Sequence, residues 1–136
     1  MNNKEAMDGV EYTGVLDFEN YWGERLLYVE VTHHVDSIFN EHPRLSQSMN
    51  FQGVDDKTKL SNVMYFKYKL GDMNGLDFWT VHIMTESGIN YTTKKLLRCS
   101  IRDEDHGRVI LGVNGESKSM YVSMASGTCS VPLITY

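Results

Sequence analysis

The stretch "NVMYFKYKLGDMNGLDFWTVHIM" (residues 62–84) decides the fold class, because two runs of alternating residues flank a glycine-containing turn. Alternation with a period of two is typical of β-strands, and the β-branched and aromatic residues in both runs favour the same structure. The turn "GDMNG" at 71–75 has a length that suits a hairpin. The stretch therefore predicts two neighbouring antiparallel strands, with Leu70 opposite Leu76.

Strand-like runs continue toward the C-terminal end of the sequence. Turn signals recur about every ten residues, at 87–88, 103–107, 114–117 and 126–128. Between these turns lie the runs "INYTTKKLLRCSI", "RVILGV" and "KSMYVSMA". Short strands at this spacing form a meander. We predict a mainly β protein, an antiparallel meander of at least five strands that forms a barrel or a strongly curved sheet.

The first part of the sequence is less regular. The runs "VEYTGVLDF" (10–18) and "LLYVEVTHHV" (26–35) alternate, whereas Asp36 is a suitable N-cap for a helical turn. We therefore expect one or two short helices at 37–49. The alternative fold class is α+β, with helices packed on a curved antiparallel sheet. The tail "CSVPLITY" (129–136) can add an edge strand, where a proline is tolerated.

Composition restricts the class of protein. A chain of 136 residues with 41% hydrophobic residues suits a single domain, 1–136. A net charge of −5 makes nucleic acid an unlikely partner. Since there is no long apolar run and no signal sequence, we expect a soluble, cytoplasmic protein that does not engage a membrane. Cys99 and Cys129 match no zinc or redox motif, and we expect two reduced thiols, with one disulfide between them as the alternative. No cofactor is expected.

A polar group on the apolar face of the predicted sheet is the first candidate site. In the predicted register, several polar and aromatic side chains lie close together on neighbouring strands. Buried polar groups need partners, so the group indicates either a sheet end reached by water or a ligand pocket. The predicted ligand-binding residues are His82, Lys95, Thr80, Thr93, Tyr68 and Tyr91.

The opposite face of the predicted sheet is the second candidate. It combines aromatic and cationic side chains, which can contact a partner protein or stack on a ligand. The alternative interpretation is that the N-terminal segment covers this face, with lysine stems lying over Trp79. The predicted partner-binding residues are Trp79, Lys67, Tyr65, Arg98 and Lys94.

Three of the five histidines lie in "VTHHVDSIFNEHPR" (31–44). In a strand, His33 points with the apolar residues and His34 points to the opposite side, so the two cannot bind one metal ion together. We therefore predict no metal site. The alternative is a metal site that combines one of these histidines with Asp36 and His42.

These observations favour a non-enzymatic binding module that holds a small polar ligand, a sugar or a partner protein. It would use a concave pocket or the aromatic and basic sheet face. One alternative is a small enzyme that uses His82 for proton transfer, although no nucleophile and base are visible together. Another is a structural or viral assembly subunit that forms a homo-oligomer through an edge strand. The sequence does not identify the ligand, the partner or the oligomeric state.

Overall fold

A computed structural model describes residues 10–36, 45–70 and 76–136, and this part of the chain is built from ten strands and one short 3-10 turn at Asp103–Asp105. The strands are β1 (Glu11–Tyr21), β2 (Leu26–Asp36), β3 (Leu45–Val54), β4 (Thr58–Lys69), β5 (Leu76–Thr85), β6 (Asn90–Thr93), β7 (Leu97–Arg98), β8 (Arg108–Asn114), β9 (Ser119–Met124) and β10 (Gly127–Thr135). None of the helical segments in the described ranges is long and apolar enough to cross a membrane.

The strands form one sheet in the order β3-β2-β5-β6-β10-β9-β8-β1-β4, and β7 pairs with β5 beside this path. The sheet is nearly closed into a barrel and is antiparallel except where β1 runs parallel to β8. The predicted mainly β fold is therefore confirmed. The predicted helix is wrong for residues 45–49, which belong to β3, and its remainder, 37–44, lies outside the described residues.

The order of the strands differs from a meander at two of the predicted turns. The strands on either side of 103–107 do not pair, because β6 pairs with β5 and β10, β7 pairs with β5, and β8 pairs with β9 and β1. The predicted hairpin between β4 and β5 does not form, because β4 pairs with β1 and β5 pairs with β2. The turn at 71–75 itself lies outside the described residues. Leu70 and Leu76 are therefore not cross-strand partners, and the faces that were inferred for β5 through this turn have to be revised.

β5 buries the face opposite to the predicted one. Trp79, Val81 and Ile83 are almost completely buried, whereas His82 and Phe78 are only half-buried on the outer side. The strand carries large apolar residues on both faces, so its alternation alone did not determine which face is inside. Its pairing with β6 is also shifted by one residue, since His82 lies opposite Thr92 and not Thr93.

The predicted faces of the other long strands are confirmed. The buried residues of β4, β8 and β9 are those predicted for the apolar side, Met64, Phe66, Tyr68, Val109, Leu111, Val113, Met120 and Val122. The pairing of β8 with β9 is shifted by two residues from the predicted register, with Leu111 opposite Val122. A two-residue shift leaves every side chain on its own face, so this error did not change the core.

β10 is an interior strand and not the edge strand that was predicted for 129–136. Its first part pairs with β9 and its last part pairs with β6, so it joins the two halves of the sheet. Pro132 lies where the strand changes partners. Because proline has no N–H to donate, this is a position in the strand where its missing hydrogen bond does little harm.

The two edge strands of the described sheet, β3 and β4, are linked by a side chain. The backbone N–H of Lys67 donates to Oε1 of Gln47 over 2.6 Å. Next to the turn that connects these strands, the fully buried amide of Asn20 lies 3.1 Å from the carbonyl oxygens of both Val54 and Asp55. Side-chain hydrogen bonds therefore link the edge strands β3 and β4, between which there is no backbone hydrogen-bond ladder in the described sheet.

Tyr121 lies across Gly112 on the outside of the sheet. Its hydroxyl donates to Oε1 of Glu19, 2.6 Å away, so the ring passes over β8 to reach β1. A Cβ atom on residue 112 would lie 2.2 Å from Cζ of Tyr121, and only glycine leaves room for the ring. An aromatic ring that covers a strand glycine is a recognised way to stabilise a sheet.

Tyr121 should make the protein sensitive to alkaline pH. Burial, together with the hydrogen bond and the negative charge of Glu19, raises the pKa of Tyr121 well above its usual range. Because the folded state then holds this proton more tightly than the unfolded state, the contribution of Tyr121 to stability should be fully present below about pH 10 and be lost above it. In Tyr121→Phe, urea unfolding at pH 8 and pH 11 should show a smaller loss over this interval. An equal loss of stability between pH 8 and pH 11 in the wild type and the variant would show that Tyr121 is not responsible for the alkaline sensitivity.

Candidate functional site

A buried pair of polar side chains lies in the core between β2 and β5. His33 and Asp77 are fully buried, and Nε2 of His33 lies 2.7 Å from Oδ1 of Asp77. The histidine ring packs between the rings of Phe66 and Trp79, with centroid distances of 4.6 and 4.4 Å. The prediction that His33 points with the apolar residues of its strand is confirmed.

Asp77 also holds the segment that follows β7. Its Oδ2 accepts a hydrogen bond from the N–H of Ile101, and its carbonyl oxygen accepts one from the N–H of Cys99, both 2.9 Å long. The indole N–H of Trp79 donates to the carbonyl oxygen of Cys99. The side chain of Asp77 therefore faces the core and not the outer surface of the sheet. The pair therefore serves to fix this segment on the core.

The outer side of the same strands carries a group of polar and aromatic residues centred on His82, the His82 face. It is defined by Tyr28, Glu30, His82, Asn90 and Tyr136. The hydroxyl of Tyr136 lies 2.8 Å from Nδ1 and 2.5 Å from Nε2 of His82. Oδ1 of Asn90 lies 3.1 Å from Nε2, and the Tyr28 ring meets the imidazole edge to face at 5.6 Å.

The register explains why these residues meet. Glu30 and His82 are direct cross-strand partners, and Tyr28 lies opposite Met84, which itself lies opposite Asn90. Partners across a sheet share a face, so three strands contribute to one surface. The carboxylate of Glu30 accepts from the hydroxyl of Tyr28 at 3.4 Å. Burial, with the charge of Glu30, raises the pKa of Tyr28.

The structure does not bring the six predicted ligand-binding residues together. His82 and Thr80 lie on the outer side of β5, whereas Tyr68 and Tyr91 are buried in the core. Thr93 lies on the same side of its strand as Tyr91, and Lys95 is exposed between β6 and β7. His82 alone belongs to the His82 face. The alternation of β2 places Tyr28 and Glu30 on one face, but only the pairing of β2 with β5 brings them to His82, and no sequence signal indicated Tyr136.

The predicted partner-binding residues are also divided. Tyr65 is 63% exposed and lies on the outside of β4 beside Lys67, whose ammonium donates to Oγ1 of Thr13. Trp79 is completely buried, so it offers no surface and makes no cation–π contact with Lys67. The remaining two, Lys94 and Arg98, are exposed on other parts of the sheet.

Cys99 and Cys129 form a disulfide, and the expectation of two reduced thiols is wrong. The structure places their Cα atoms 6.0 Å apart, and the bond joins the segment after β7 to β10. The sequence spacing of 30 residues contained no motif from which this pairing could be derived.

No group of three or more potential metal ligands occurs in the described ranges of the chain. His34 lies on the side of β2 opposite to His33, as expected from the alternation. His42 lies outside the described residues, and so does the side chain of Asp36. The alternative metal site therefore remains a prediction.

Comparison with known proteins does not add a relative. No protein-family model matches the chain, and no curated protein matches its sequence.

Proposed function

We propose that the protein is a non-enzymatic binding module that holds a small, neutral, hydroxyl-rich ligand such as a sugar on the His82 face. The observation that supports this best is the meeting of three rings, those of Tyr28, His82 and Tyr136, with an amide and a carboxylate on one outer surface. Aromatic rings cover the apolar face of a ligand, and a few well-placed polar groups then fix its orientation.

The charge of the surface favours a neutral ligand. Glu30 is the one formally charged side chain of the five that define the His82 face, and no lysine or arginine is among them. An anionic ligand would meet a carboxylate without a compensating cation, which costs free energy. Hydroxyl groups, in contrast, can donate to Glu30 and Asn90 and accept from a tyrosine.

The enzyme alternative has less support. The described contacts of His82 are to a phenol and to an amide, and neither orients an imidazole as a buried carboxylate would. No activated nucleophile accompanies the ring in these contacts. The hypothesis of an assembly subunit has less support from β10, since its first part pairs with β9 and its last part with β6, and the edge strands of the described sheet are β3 and β4.

The predicted cytoplasmic location is not part of this proposal. Disulfides persist in oxidising compartments and are rare where glutathione keeps thiols reduced. The bond between Cys99 and Cys129 therefore argues for a non-reducing location.

Binding to an array of neutral glycans tests the proposed function. The wild-type protein should bind at least one glycan, and His82→Ala should weaken that binding about tenfold or more, because it removes the central ring and its hydrogen bonds. Tyr65→Ala is the matched control, since it removes an exposed aromatic ring from the outside of β4. It should bind like the wild type.

Two results would overturn the proposal. One is an array without any glycan bound by the wild-type protein, and the other is equal binding by His82→Ala. Far-UV circular dichroism and thermal unfolding of each variant establish that a loss of binding is not a loss of fold. A second variant, Tyr136→Phe, removes one hydroxyl with little change in shape and should give a smaller loss in the same direction.

A further inference from the structure

A cleft of about 340 Å³ lies over the disulfide, on a different part of the surface from the residues that define the His82 face. We call it the arginine cleft and define it by its polar side chains, Arg98, Ser100, Arg102, Ser126 and Thr128. Cys99 and Cys129 line it as well, so the covalent bond between β10 and the segment after β7 forms part of its wall.

The two arginines of this cleft have no acidic partner. Both are exposed, and neither forms an ion pair with a carboxylate in the described part of the chain. This is notable in a protein with a net charge of −5. Arg25, Lys59 and Arg108, in contrast, each lie within 4 Å of an aspartate oxygen.

The carboxylate of Asp105 is bonded to two residues of the cleft but does not line it. Asp105 is 3% exposed, and its oxygens accept hydrogen bonds from the N–H of Arg102 and from both the N–H and the hydroxyl of Ser126. These bonds hold the backbone of the cleft in place and leave the guanidinium groups unpaired. Two arginines and no carboxylate therefore line the cleft, although the exposed Asp103 and Glu104 directly follow Arg102 in the sequence.

The hydroxyls of the cleft add donors beside the two cations. Oγ of Ser100 lies 3.4 Å from the N–H of Asp77, from which it accepts, so its own hydrogen is available to another acceptor. Oγ1 of Thr128 lies 3.1 Å from Oγ of Ser123. Either hydroxyl can be the donor of this bond, so Thr128 can donate to or accept from a ligand. Guanidinium groups offer planar pairs of N–H donors that match oxyanions.

We propose that the arginine cleft binds a tetrahedral oxyanion, such as the phosphate or sulfate group of a larger ligand. Two guanidinium groups and a hydroxyl line the same cleft. Together they offer more N–H and O–H donors than the two oxygens of a carboxylate can accept, whereas a group with three or four oxygens can accept more of them. The disulfide, together with the hydrogen bonds that Cys99 and Ile101 donate to Asp77, fixes the backbone of residues 99–101 between the two arginines, which lowers the cost of ordering the site around a ligand.

Titration with inorganic phosphate, followed by amide chemical shifts at low ionic strength, tests the proposal. The amides of residues 98–102 and 126–128 should shift and saturate at millimolar phosphate, a concentration that suits a small ligand on an exposed site. Sulfate should act in the same way. Arg98→Gln and Arg102→Gln should each weaken the binding of both anions about tenfold, since each removes one guanidinium group with its charge and its paired N–H donors.

Arg108→Gln is the matched control. It removes an equally positive side chain that is 63% exposed, but this arginine lies beside Asp17 and outside the arginine cleft. The variant should bind phosphate like the wild type. Unshifted amides outside the two segments show in the same spectra that each variant is folded.

Three outcomes would overturn the proposal. They are shifts that do not saturate, unchanged phosphate binding in the double variant Arg98→Gln/Arg102→Gln, and acetate binding as tight as that of phosphate. A loss of binding on reduction of the disulfide would support the role given to it. None of these measurements depends on His82, so this proposal and the glycan proposal can fail separately.

Discussion

Replacement of Asp77 by alanine is expected to lower the free energy of unfolding by about 3–5 kcal/mol, because it breaks a buried polar pair by removing one partner. His33 would stay in the core without its hydrogen-bond partner, and the N–H of Ile101 would lose its acceptor. Urea unfolding followed by tryptophan fluorescence measures the change, since the buried ring of Trp79 packs against His33.

Asp55→Ala provides the control for this prediction. Asp55 also pairs with a basic side chain, but its own side chain is 74% exposed, so the change should cost less than about 1 kcal/mol. In the double variant His33→Ala/Asp77→Ala, the loss should be smaller than the sum of the single losses, because the two residues act on each other. Additive losses, or a cost below 1 kcal/mol for Asp77→Ala, would show that the pair contributes little.

Opening the disulfide is expected to lower the free energy of unfolding by about 3–4 kcal/mol, the value that the chain-entropy model gives for a loop of this length. The bond closes a separation of 30 residues and joins β10 to the segment held by Asp77. Unfolding by urea with and without a reducing agent measures the effect in the wild-type protein.

The variant Cys99→Ser/Cys129→Ser separates this effect from other actions of the reductant. It should have the lower stability in both conditions and should not respond to the reductant. If the wild-type protein were equally stable with and without the reductant, and equal to the variant, the bond would have no stabilising role. Mass measurement of the alkylated protein confirms the redox state of each sample.

The strands themselves were largely predictable from local sequence. The alternating runs correspond to β1, β2, β4, β5, β8 and β9, and the turns between the later strands lie close to their predicted positions. Alternation is a local property that each strand carries in its own residues. Pairing is not local, and the errors in topology at 71–75 and at 103–107 come from the assumption that neighbours in sequence are neighbours in the sheet. The edge position predicted for 129–136 rests instead on Pro132.

β5 shows why the candidate site was harder to predict than the fold. Leu76, Phe78 and Met84 on one side are as apolar as Trp79 and Ile83 on the other, so hydrophobicity does not select a face. The selection comes from pairing with β2, which places Asp77 beside His33 in the core. Because Asp77 lies on the inner face of β5, a search for the more apolar face does not identify that face as the buried one. The sequence therefore places His82 on the wrong side.

The parallel contact between β1 and β8 has a consequence for how the protein is made. β1 leaves the ribosome early and can pair with β4 soon afterwards, but its other neighbour is synthesised much later. Until then one backbone edge of β1, next to the apolar side chains of Leu16 and Phe18, lacks its neighbour. Contacts between distant parts of a chain form slowly, so the nascent protein should depend on chaperones more than a meander of the same length would.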